Sequence, residues 1–179
     1  LNALAALAAG LAVGADFRAM ARGIATVAGA ERRFQRLGEV RGVIVVDDYA
    51  HHPTEIGATL AAARSIFPGR RIIAAFQPHL FSRTRDFAAQ FGASLAGADA
   101  VFLAEIYPAR ERPIDGVTSS LVATALETAG GKLAWRGERS DLAAALAASV
   151  RTGDVVFTIG AGDITKTGPE LLDRLSRSA

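Results

Sequence analysis

The sequence predicts an α/β fold, with a mostly parallel sheet of about six strands flanked by helices and a short helical segment ahead of it. Three observations carry this. Apolar runs of strand length, such as Val43 to Val46, alternate with segments whose apolar residues recur at helical spacing. Polar and ionisable residues gather at one end of those runs, while ordinary turns such as Pro68-Gly69 and Gly130-Gly131 take the other. Finally, 179 residues with half the chain apolar suffice for one domain with a full core, plus a small appendage.

Residues 1–30 read as two short helices divided near Gly14-Ala15-Asp16, with Asp16 as the N-cap of the second. Gly23 and Gly29 loosen the chain after them, which places a boundary near residue 30. Arg32-Arg33-Phe34 then opens an irregular first strand that reaches Val40. Further strands are predicted at 42–47, 71–76, 100–105, 132–135 and 154–159. The intervening helices are predicted at 54–67, 84–97, 118–129, 140–150 and 164–176. Ile56, Leu60, Ala63 and Phe67 mark the buried stripe of the first of these, and Phe87, Phe91 and Leu95 that of the second. Leu142, Leu146 and Val150 do the same after a candidate cap at Ser140. Such alternation builds βαβ units, with helices on both faces of the sheet.

Composition narrows the function. The chain has 20 basic and 18 acidic residues, a net charge of +2, and no basic block interleaved with aromatics, so no nucleic-acid partner is expected. It has no cysteine, which rules out disulfides and thiolate zinc sites and fits a reducing compartment. The apolar run Leu1 to Val13 is too short to span a bilayer, so no membrane partner is expected either. A chain that starts without methionine inside an alanine-rich helix reads as a piece of a larger protein.

The candidate chemistry sits at the strand ends, where open α/β sheets bind ligands. After strand 42–47 come Asp48, Tyr49, His51 and His52; after 71–76 come Gln77, His79, Ser82, Arg83 and Arg85. Strand 100–105 ends in Glu105, with Tyr107 and Arg110 beyond, and 154–159 leads into Gly160-Ala161-Gly162-Asp163, Thr165 and Lys166. All three histidines and both tyrosines lie at these tips. Asp48 suits a turn cap as well as a ligand contact. His51 and His52 are adjacent, so on extended backbone they point apart and cannot easily chelate one metal; a positioning role fits better. Arg83 and Arg85 suit a solvated helix face, or a carboxylate or phosphate clamp aided by helix N–H groups. Gly160-Ala161-Gly162 lacks the spacing of a dinucleotide fingerprint, and no G-x-x-x-x-G-K-[ST] loop occurs to cradle a triphosphate.

Several segments, taken in order, resemble the C-terminal part of a Mur ligase: Asn2-Ala3, Arg32-Arg33-Phe34, Asp47 to Glu55, Gln77 to Asp86, Tyr107-Pro108-Ala109-Arg110 and Gly160 to Ile164. The resemblance covers essentially the whole chain. The segment Gln77-Pro78-His79-Leu80-Phe81-Ser82-Arg83-Thr84 resembles the alanine-adding branch rather than the branch that recycles murein tripeptides. It implies a cytoplasmic, ATP-dependent ligase of peptidoglycan synthesis that joins L-alanine to UDP-N-acetylmuramate through an acyl phosphate. It also implies that residues 1–30 are the last helices of a central ATPase domain and that 31–179 form a Rossmann-like, amino-acid-binding C-terminal domain. ATP and Mg2+ would be held mainly by that central domain, so this stretch alone would be inactive.

Carried over residue by residue, Asn2, Arg33, Asp48 and Tyr49 match nucleotide-binding positions, with Asp48 on the ATP ribose. His51, His79 and Arg83 match substrate-binding positions. Arg83 is assigned to the alanine carboxylate, to which a guanidinium offers two parallel donors. No catalytic residue and no metal ligand is assigned. Leu80 stands where some relatives carry arginine, which leaves a second carboxylate clamp unassigned. The competing expectations are another Mur-type ligase, including the tripeptide-recycling one, and a non-catalytic α/β ligand-binding domain. A Rossmann oxidoreductase is a third, weakened by the missing glycine fingerprint.

Overall fold

A computed structural model describes residues 2–26 and 30–177, with side chains from residue 3 onward. The chain forms two compact units, Leu1–Glu31 and Arg32–Ala179. The first holds helices α1 (Asn2–Ala12) and α2 (Phe17–Ala25). Asp16 caps α2 as its residue type predicts, its carboxylate accepting from the Ala19 N–H at 2.8 Å.

The second unit is a six-stranded sheet of β1 (Gln35–Val40), β2 (Val43–Asp48), β3 (Ile72–Phe76), β4 (Ala100–Ala104), β5 (Leu133–Gly137) and β6 (Val155–Ile159). Its spatial order is β1-β2-β6-β3-β4-β5. Strand β1 runs antiparallel to β2, and every other neighbouring pair is parallel. Arg41 and Gly42 make the tight turn between β1 and β2, both with positive φ (54° and 75°), the geometry that two-residue hairpins favour.

Helices α3 (Pro53–Ile66), α4 (Phe81–Leu95) and α5 (Ser120–Thr128) cover one face. There Ile56, Leu60, Phe91, Leu95 and Leu126 pack with Val46, Ile72, Phe76, Leu103 and Phe157. Helices α6 (Arg139–Ser149) and α7 (Thr167–Arg177) cover the other, where Leu142, Leu146 and Leu171 pack with Val45, Ile73, Phe102 and Val156. Neighbouring residues of one strand therefore serve opposite cores, which is why the strands read as continuous apolar runs. Each fully buried Phe, Ile or Leu contributes roughly 1.5–3 kcal/mol relative to exposure.

Most boundaries shift by one or two residues from expectation, and four of the shifts have a visible cause or form. Helix α4 starts at Phe81, three residues early, because Leu80 takes φ 73° and turns the chain into the helix. Helix α6 starts at Arg139 with Glu138 as N-cap, not at Ser140. Arg139 is held there by both oxygens of Glu170, at 3.0 and 2.9 Å. Strand β5 continues to Gly137 because its pairing with β4 extends through Arg136 and Gly137. The last helix opens with a 3-10 turn at Asp163–Lys166 before α7.

Candidate functional site

The parallel run β2-β6-β3-β4 brings the carboxyl ends of four strands to one edge. At the β2 tip two acids do different work. Asp47 is 1 % exposed and accepts from Thr158 Oγ1 at 2.5 Å, Thr165 Oγ1 at 3.1 Å and Arg32 Nε at 2.9 Å. Arg32 also donates to the Gly160 carbonyl at 2.6 Å, so one arginine ties the segment ahead of β1 to β2 and the loop after β6. Asp48 is 6 % exposed and accepts from the N–H groups of Phe34 and Ala50, both at 2.8 Å. The turn-capping reading of Asp48 is therefore visible, with each oxygen engaged by a backbone donor.

Beyond Asp48 four rings run across the edge from β2 to β4. Tyr49 meets His51 edge-on at 5.3 Å, His51 meets His79 at 6.3 Å, and His79 stacks on Tyr107 at 5.7 Å. The Arg32 guanidinium sits 4.8 Å from the Tyr49 ring centre and that of Arg33 5.9 Å. His52 turns away toward Phe87 at 5.1 Å and caps α3, its Nδ1 accepting from the Thr54 N–H at 3.4 Å. Glu55 accepts from the N–H groups of His51 and His52 at 3.0 and 3.2 Å. Burial pushes the Glu55 carboxyl up, but the His51 N–H, the His51 ring and the His52 N–H outweigh it and hold it below the usual carboxylate range.

The start of α4 lacks a side-chain cap of its own, since its N-cap is Leu80. Glu111, from the loop after β4, supplies one: its carboxylate accepts from the Ser82 N–H at 2.9 Å and from the Ser82 hydroxyl. That hydroxyl and then that N–H hold the Glu111 carboxyl below its usual range. His79 is pushed below the usual histidine range, first by burial and then by the Arg83 and His51 charges, with Glu111 pulling the other way. His79 Nδ1 and Arg83 Nη1 are both buried without a hydrogen-bond partner. Most buried polar atoms are paired, so two orphans four residues apart mark a place built for something further.

The glycines after β6 are there for close approach. A Cβ on Gly162 would stand 2.7 Å from Tyr107 Cγ and 2.8 Å from Gln77 Oε1, and Gly160 has φ 146°. Gln77 in turn accepts from the Ile164 N–H at 3.1 Å, which fixes this loop beside the β3 tip.

Of the residues expected at the site, Arg33, Asp48, Tyr49, His51, His79 and Arg83 share this edge, and the side chain of Asn2 lies outside the described residues. Glu105 instead pairs with Arg136 at 2.7 Å, and Lys166 lies 4.0 Å from Asp163. Sequence reasoning missed Asp47 and Arg32 as the buried knot, although an acid inside an apolar strand was a usable signal. It missed Glu111 altogether, and no local pattern marks that residue. Among the described residues no group of three or more His, Asp or Glu is arranged to hold a metal ion. Clefts of about 450 Å³ between α6 and α7 and about 490 Å³ between α4 and α5 lie on the helical faces and involve none of these side chains.

Comparison with known proteins identifies the family. UDP-N-acetylmuramate–L-alanine ligase of Cutibacterium acnes is 52 % identical over 179 residues, covering 99 % of this chain and 38 % of the relative. The enzyme of that name from Kineococcus radiotolerans is 52 % identical over 176 residues, covering 98 % of this chain and 37 % of its own length. The chain thus spans about 38 % of the length of the curated relatives it matches. The crystal structure of UDP-N-acetylmuramate-alanine ligase MurC from Thermotoga maritima is similar at 27 % identity and a TM-score of 0.84, over 99 % of this chain and 37 % of that one. Residues 32–162 match the family model described as Mur ligase, glutamate ligase domain, and the chain belongs to that family.

Proposed function

We propose that this chain is the amino-acid-facing part of an ATP-dependent ligase that joins L-alanine to UDP-N-acetylmuramate in peptidoglycan synthesis. The observation that carries the reading is the Gln77–Arg85 tip, where Arg83 keeps a buried, unpaired guanidinium nitrogen beside a neutral-leaning histidine. The whole-length likeness to alanine-adding relatives points the same way. ATP phosphorylates the lactyl carboxylate, and the amine of L-alanine then displaces phosphate from the acyl phosphate. Arg83 holds the alanine carboxylate through charge-assisted bonds. Tyr49, a residue 36 % exposed with Arg33 beside its ring, offers a stacking face and a cation to the nucleotide.

His51 lines the space between Tyr49 and His79. Asp48 holds the turn that carries Tyr49, and it meets the ATP ribose through lone pairs not used by Phe34 and Ala50. Asn2 belongs to the nucleotide side. Residues 1–30 close a central ATPase domain, whose phosphate loop binds ATP and whose side chains hold Mg2+. An edge of this kind is half a cleft; closing it against the ATPase domain would exclude water from the acyl phosphate. No helix among the described residues is long and apolar enough to cross a membrane. A cytoplasmic location fits these nucleotide substrates. The test is ADP release by the full-length enzyme given ATP, UDP-N-acetylmuramate and either L-alanine or L-alanyl-γ-D-glutamyl-diaminopimelate. Turnover with alanine alone is expected; turnover with the tripeptide instead assigns the recycling branch.

A further inference from the structure

His79 Nδ1 and Arg83 Nη1 ask for opposite things. The guanidinium nitrogen can only donate, whereas a neutral imidazole nitrogen can accept. An α-amino acid carries the complementary pair on one carbon, a carboxylate that accepts and an amine that donates. We propose that His79 takes the proton from the substrate's α-ammonium while Arg83 holds the carboxylate of the same molecule. This rests on the ligase reading above.

The ammonium must lose a proton before its nitrogen has a lone pair to attack with. One N–H bond of the ammonium breaks and an N–H bond forms at His79 Nδ1, giving an imidazolium. The freed lone pair attacks the acyl carbon of the acyl phosphate. The C–O bond to phosphate then breaks, and a second amine proton leaves with the departing phosphate, so the amide keeps one. The imidazolium returns its proton to water.

The surroundings fit each stage. The charged and titratable groups that act on His79 are Arg83, His51 and Glu111, with Tyr107 stacked on the ring. Burial first, and then the Arg83 charge, favours the neutral imidazole in the free enzyme. A carboxylate seated on Arg83 cancels that charge, so the imidazole gains basicity only when an amino acid is in place. Glu111 then favours the imidazolium that forms. Both orphan atoms are shielded from solvent in this structure, so seating the amino acid requires a rotamer change of the long Arg83 side chain.

The experiment compares two nucleophiles in the full-length enzyme and its His79→Gln and His79→Asn variants. Hydroxylamine is already a free base at neutral pH, so it traps the acyl phosphate as a hydroxamate without needing a proton acceptor. The variants are expected to lose kcat with L-alanine by about 10²- to 10⁴-fold, the usual contribution of a general base. Their hydroxamate formation should stay within about threefold of wild type, a difference of roughly 0.6 kcal/mol, and should also certify that they fold. The alanine defect should shrink as pH rises and the free amine becomes more abundant. The proposal is overturned if both nucleophiles fail together, which would mark His79 as structural, or if alanine kcat holds within about threefold of wild type. A wild-type enzyme that makes hydroxamate but never turns over alanine would sink the ligase reading itself.

Discussion

Arg83 is the residue whose environment discriminates most sharply between readings. A solvated arginine would have its nitrogens in water, yet Nη1 is buried with nothing to donate to. On the proposed reading, removing it removes a charge-assisted pair with the substrate carboxylate, worth on the order of 1.5–3 kcal/mol. Arg83→Ala in the full-length enzyme should therefore raise the KM for L-alanine roughly ten- to hundredfold, with ATP affected far less. Steady-state kinetics decide it: an alanine KM within about twofold of wild type moves the carboxylate role elsewhere. The two acids at the β2 tip make a second residue-scale contrast. Asp47→Ala strands Arg32 and two threonine hydroxyls around a buried vacancy, for which about 3–5 kcal/mol of lost stability is expected. Asp48→Ala strands only two backbone N–H groups, for about 1–3 kcal/mol. Denaturant unfolding of the 179-residue chain should rank them in that order, and a neutral Asp47→Ala would show that the knot is not structural.

At the scale of elements, helix α4 shows both what sequence patterns reveal and what they miss. Its buried stripe was legible, because Phe91 and Leu95 recur at helical spacing and are fully buried. Its start was not, because the cap is Glu111, which comes from a loop 29 residues further along the chain. The same holds for Asp47, whose partners Thr158 and Thr165 lie 111 and 118 residues away. Residue type and local period can place a polar strand tip, but only the fold says which tips touch. The glycines give an element-scale test of that close approach. Gly162→Ala puts a methyl group against Tyr107 and Gln77, and overpacking of this kind should cost about 1–3 kcal/mol and displace the Tyr107 ring. Gly57→Ala, in the middle of α3, meets only Ser94 Oγ at 3.8 Å and should stabilise by about 0.4–1 kcal/mol. Equal effects at the two positions would contradict this packing.

At the scale of the molecule, the alternation of strand and helix was enough to predict three layers, but not the strand order. Placing β6 between β2 and β3 is what sets Asp48, Gly160 and Gln77 side by side, with Gly160 N–H to the Asp48 carbonyl at 3.1 Å and Gln77 N–H to the Ile159 carbonyl at 3.1 Å. The long return from β5 leaves no mark in local sequence. The site's titratable groups then tie stability to pH in one direction. His79 is lowered in the fold, so below about pH 6.5 the unfolded chain binds more protons and stability falls until the folded-state value is passed. Glu55 and Glu111 are also lowered in the fold, and their contribution is present above about pH 4.3 and lost as pH falls through their folded-state values. Unfolding midpoints should therefore hold near neutrality and decline in two stages, and His79→Gln should remove the first. A midpoint that rises between pH 7 and pH 6 would contradict the lowered basicity of His79.

The same half-site geometry governs what these 179 residues can do by themselves. The edge offers a stacking ring, two arginines and a histidine, but the sequence contains no G-x-x-x-x-G-K-[ST] loop to cradle three phosphates. Phosphoryl transfer is catalysed almost wholly by positioning and charge stabilisation, so a surface that can touch the nucleoside without gripping its phosphates should not release ADP. The isolated chain is expected to show no ATP hydrolysis above buffer and no alanine ligation. Weak nucleotide binding, if seen, should weaken when Tyr49 is changed to alanine. ATP hydrolysis that survives purification and disappears in Asp48→Asn would mean that this edge builds a complete phosphate site, and the division of labour between the two domains would have to be redrawn.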